Sequence, residues 1–157
     1  MYALEYDLML FGAIISYFIP LMVSLLICVI ISRYFFGIWS TVVLELVMYF
    51  HSLVVLGCAG YVMNNDDHVR VDIVYRNASD SYKKNINTIF GLLFLIPLII
   101  VTFFYSIETI EASWKMSEAS TEAGGLAYVY IQKTLMILFP LTLLAALINQ
   151  FIKTKWK

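Results

Sequence analysis

The stretch LMLFGAIISYFIPLMVSLLICVII, residues 8–31, runs for 24 residues without a charge. A helix rises about 1.5 Å per residue, so this run is long enough to cross the roughly 30 Å hydrocarbon core of a bilayer. Outward from it the pattern repeats: Val42 to Val62, Ile86 to Ile107 and Ala127 to Ile152 are three further apolar runs of spanning length. The composition agrees, with 62% hydrophobic and 13% charged residues, against about 25% charged in soluble domains. The expected fold is an all-α membrane protein: one domain over residues 1–157, with four transmembrane helices in an antiparallel bundle.

The net charge of −1 gives no basic surface for nucleic acid, which leaves membrane lipids or protein as the expected partners. Glu5 and Asp7 stand where a secretory leader would be positive, so the first helix is expected to be retained. Cys28 and Cys58 lie in separate apolar runs without a C-x-x-C pattern, and read as packing residues. Pro20, Pro97 and Pro140 fall one to a span and predict kinks.

Lys and Arg counts set the orientation. Arg70, Arg76, Lys83, Lys84, Lys153, Lys155 and Lys157 lie on the side of the termini, and Arg33, Lys115 and Lys133 on the other. The positive-inside rule then puts both termini in the cytoplasm.

Four places carry candidate chemistry. After the second span comes HVRVDIVYRNASDSYKKN, residues 68–85, where polar and apolar residues alternate at the start. His68, Arg70 and Asp72 would share one face of an extended chain; in a helix His68 would pair with Asp72, and Asp72 with Arg76, four residues apart. Composition reads this as a solvated loop whose charges fix topology, and the alternation as a short amphipathic helix or turn at the membrane surface. Within the second span, Glu45 and His51 are the ionisable residues nearest bilayer depth, where a charge costs at least about 2.5 kcal/mol. Glu45 is expected to meet a cation such as Lys133, and His51 to be a neutral ring hydrogen-bonded across helices. Gly57, Cys58, Ala59 and Gly60 would admit a close neighbouring helix. In ETIEASWKMSEASTEAGG, residues 108–125, the third helix is expected to project from the membrane until Gly124 and Gly125 break it.

The omissions narrow the function. There is no internal repeat of the kind that self-sufficient transporters show, no facing pair of histidines for haem, and no converging nucleophile, base or metal ligands. An accessory subunit without catalytic residues or cofactor is expected.

The chain resembles the small membrane subunit (DctQ type) of tripartite ATP-independent periplasmic (TRAP) transporters. The matching elements are SRYFFG with Arg33 after span one, Glu45 in LEL, HVRVDIVY after span two, and EAGGL with Lys133 ahead of LFPL in span four. The resemblance implies a multi-pass protein of the bacterial inner membrane. It would pair with a large permease subunit that carries the substrate and sodium sites, while a periplasmic solute-binding protein delivers a small organic acid. The small subunit would be a scaffold, with Arg70 and Asp72 in a cytoplasmic corner that docks the large one. The competing expectation is a membrane-anchor subunit of a respiratory or quinone-linked enzyme, with His51 touching the cofactor or quinone.

Overall fold

The computed structural model describes residues 3–65, 82, 89 and 91–155. Helices α1 (Ala3–Ser16) and α2 (Phe18–Phe36) make the first span, and α3 (Thr41–Asn64) the second. The third is a π-helical turn, Gly91–Leu95, running into α4 (Ile96–Lys115). The fourth is α5 (Val129–Thr134), a 3₁₀ turn Leu135–Ile137, and α6 (Leu138–Lys155). Four helices are thus long and apolar enough to cross a membrane. Residues 66–81, which include His68, Arg70, Asp72 and Arg76, lie outside the described residues.

Each proline has a break just ahead of it. Pro20 has no N–H to give the Ser16 carbonyl, and the helix opens at Tyr17, whose N–H turns instead to the Ile14 carbonyl at 3.3 Å. Pro97 sits in the first turn of α4, just after the π-helical turn, and Pro140 follows the 3₁₀ turn. The three expected kinks are therefore local changes of helix winding.

Successive spans alternate in direction. Phe18 packs on Phe50 with ring centroids 5.2 Å apart, and Ile15 lies against Gly57, so spans one and two are antiparallel neighbours. Spans two and four then run parallel and also touch. Thr142 Oγ1 donates to the Leu56 carbonyl at 3.4 Å, Gln150 Nε2 to the Met63 carbonyl at 3.2 Å, and Asn149 Nδ2 to Asn64 Oδ1 at 2.5 Å. At Gly60 a Cβ would collide with the backbone of Thr142, so glycine is what lets α3 and α6 close on each other. The third span packs chiefly on the fourth, with Ile99 against Leu143 and Leu147 in the small core. Span two thus packs on spans one and four, the third packs on the fourth, and α1 of the first also reaches α6, which fixes the lateral order. The fourth span is the axis: 33% of its most apolar stretch is buried, against 11% in the first and third.

The third helix does not project as far as Gly124. It stops at Lys115 because Ser117 takes a left-handed φ of 46°. The Glu118 N–H then caps the Ser113 carbonyl at 3.1 Å and the Ser117 N–H caps that of Trp114 at 3.1 Å, a Schellman closure that usually carries glycine. Left-handed backbone costs an L-residue about 1–2 kcal/mol, and glycine returns part of that gain through its freer unfolded chain. Ser117→Gly is expected to stabilise the purified protein by about 0.5–1 kcal/mol, read as a rise in its thermal midpoint. A fall would mean that the serine side chain holds the turn.

Candidate functional site

Closing α4 at Lys115 returns residues 116–128 across the start of α3 as a strap. The strap is shaped by its own backbone. Ser120 N–H donates to the Leu126 carbonyl at 2.9 Å and Gly125 N–H to that of Glu122 at 3.0 Å. Gly124 has a φ of 74°, a left-handed backbone that glycine adopts without the steric cost a side chain would bring. A Cβ on Gly125 would strike the Ser120 side chain and the Glu45 carboxylate. The paired glycines of EAGGL thus serve a turn and a close approach.

Glu45 is where the strap is fastened. Its carboxylate accepts the Ser120 hydroxyl and, at 2.5 Å, the Leu126 N–H. One turn earlier, Thr41 Oγ1 donates to the Ala123 carbonyl at 3.2 Å. The expected partner of Glu45, Lys133, is engaged elsewhere: its ammonium lies 2.5 Å from Glu118. The two residues have different partners. Tyr130, three residues before Lys133 on α5 and so on its side of the helix, packs on Trp114 at the end of the third span, and it is Gln132 that reaches the second span, donating to Ser52 Oγ at 3.3 Å.

Glu118 joins three elements, taking Lys133 from α5 and the Ser113 hydroxyl, at 2.7 Å, from α4. Lys133, and after it Ser113, hold its carboxyl below the ordinary value of 4.5. The folded pKa is depressed, so this contact contributes above pH 4.5 and is lost as pH falls through the lowered value. Thermal unfolding should therefore show a component that weakens only below pH 4.5, and Glu118→Gln should remove it. A titration unchanged in Glu118→Gln would assign the loss to another carboxylate.

Between strap and helix lies a cavity of about 460 Å³, lined by Trp39, Thr41, Glu45, Ser120 and Gln132 among others. Arg33 lies beside it in sequence rather than in it, its guanidinium 4.7 Å from the centre of the Trp39 ring, a cation–π contact at the end of α2. Among the described residues no group of His, Cys, Asp or Glu is placed to hold a metal ion. The polar groups here fasten one segment to another, which is chemistry of assembly.

At the opposite end, Asn149, only 1% exposed, ties the fourth span to Asn64 of the second. Sequence reasoning passed over both asparagines, and over Ser113, Glu118 and Ser120. The one signal of the asparagines was a neutral polar residue near the edge of an apolar run, while Ser113, Glu118 and Ser120 stand in a polar segment that singled out none of them. His51 is exposed on α3 and makes no hydrogen bond or ion pair with the described residues, contrary to the cross-helix bond expected for it.

Compared with curated proteins and with solved structures, the chain has no significant match. Compared with protein families, it matches the tripartite ATP-independent periplasmic transporters, DctQ component, over residues 21–154. That match takes in the second half of the first span, Glu45 and the strap, the second and third spans, and the fourth to within one residue of its end. With four spanning helices and a match over most of its length, the chain belongs to the DctQ component family of the TRAP transporters.

Proposed function

We propose that the chain is the small permease subunit of a sodium-coupled TRAP transporter for organic acids, and that it serves as a scaffold for the large transport subunit. The observation that carries this is the family match over residues 21–154. The architecture supports it. Spans two and four are fastened at one end by the strap and at the other by Asn64 and Asn149, with backbones in contact at Gly60 between. Such a clamp suits a part that stays fixed while another moves. In this reading the termini are cytoplasmic, the strap faces the periplasm and the solute-binding protein, and residues 68–76 form the corner that docks the large subunit.

The test is assembly followed by transport. Affinity purification of the tagged chain from its native membrane is expected to bring down a much larger, many-span membrane protein. In liposomes, sodium-dependent uptake of an organic acid is expected only when that protein and the binding protein are present with this chain. Uptake by this chain alone would overturn the scaffold role, and recovery of a homo-oligomer alone would overturn the subunit reading.

A further inference from the structure

His51 lies ten residues after Thr41 and thirteen before Asn64 in α3. At about 1.5 Å per residue it is about 15 Å from one end of the helix and about 20 Å from the other. That is mid-membrane. An imidazole on a single methylene cannot reach the interface as the long stems of Lys and Arg do, and its ring N–H has no partner within the described chain. Hydrocarbon offers nothing to an N–H, so a lipid-facing imidazole at this depth is strongly disfavoured.

The neighbours of His51 on its helix face are Met48 and Val55, three and four residues away, 56% and 53% exposed. The other faces of α3 are taken. Phe50 and Gly57 meet the first span, and Leu56, Gly60 and Met63 meet the fourth. Met48 also lines the strap cavity, but with more than half of its surface exposed it continues with His51 and Val55 an open stripe that has one polar group at its centre.

We infer that this stripe docks a transmembrane helix of the large permease subunit, which presents a hydrogen-bonding group to His51 at mid-membrane. The inference rests on the proposed function for the identity of the partner. The unpaired imidazole favours a protein helix over acyl chains, because a helix can carry a polar side chain or a freed backbone carbonyl at that depth while a lipid tail cannot. The flanking Met48 and Val55 supply apolar contact on either side.

The test uses the complex assembled in membranes from this chain and its co-expressed large subunit. A benzophenone side chain placed at Met48 or Val55 is expected to form a photo-adduct with the large subunit. The same probe at Ile27 of α2 or Val101 of α4, also exposed, serves as the comparison. His51→Leu should lower the co-purified large subunit by about 3-fold, and by at most about 20-fold, the range of a single interhelical hydrogen bond in a bilayer; His51→Gln should restore part of it. Adducts from Ile27 or Val101 with none from Met48 or Val55 would overturn the docking face and leave the subunit reading standing. An adduct between two copies of this chain would overturn the choice of partner. If no large membrane protein accompanies the wild-type chain, both readings fall together.

Discussion

Gly60→Leu is expected to force the second and fourth spans apart and to destabilise the subunit by about 3 kcal/mol, the upper end of what overpacking costs. The reason is what the new side chain meets. A Cβ at Gly60 falls on the backbone carbonyl of Thr142, and a helix backbone cannot rotate aside as a side chain can. Gly57→Ala is the control: its Cβ comes to 2.6 Å of Ile15 Cδ1, the movable end of a flexible chain. Alanine also gains about 1 kcal/mol of helix propensity over glycine, so Gly57→Ala should be neutral or stabilising. Unfolding of the two purified variants in detergent separates these outcomes. Equal losses at both positions would mean that small residues in this helix act through flexibility, and that the contact at Thr142 is incidental.

The same pair of glycines shows how far the sequence could be read. That some helix comes close to residues 57–60 follows from four small residues in a row. Which helix does so depends on the lateral order, and periodicity within one span says nothing about that. The four spans were legible because length and apolarity are properties of single segments. The fastening of the strap was not, because Glu118 and Ser120 acquire partners only when the third helix stops at Lys115. It stops there through a left-handed serine, where the nearest glycines, at 124 and 125, pointed to a later break. The partner expected for Glu45 was not the one it has, since a residue's height along a span follows from counting while its azimuth depends on packing. His51 was placed at bilayer depth for the same reason, yet the helix face it occupies emerged only when the other faces of α3 were filled.

Glu45→Ala is expected to release the strap, with a loss of about 2 kcal/mol, because the Leu126 N–H and the Ser120 hydroxyl both lose a charged acceptor and such bonds are worth about 1.5–3 kcal/mol. The hydroxyl can turn to water, while the N–H is fixed in direction, so the effect should centre on Leu126. Hydrogen exchange over residues 117–128 should rise, with the Leu126 amide first. Glu45→Gln should fall between, since an amide oxygen can accept one of the two bonds while its NH₂ faces a donor. Charge reversal separates this account from a Glu45–Lys133 ion pair. If those two residues paired, Glu45→Lys with Lys133→Glu would recover part of the loss of the single variants. In the structure Lys133 belongs to Glu118, so the double variant places two carboxylates together at 118 and 133 and an ammonium against two donors at 45. The losses should add to within about 0.5 kcal/mol, as for residues that share no contact. Recovery in the double variant would show that Lys133 reaches Glu45 in the working protein, and the strap would then be fastened by charge pairing across the cavity rather than by the neutral donors of residues 120 and 126.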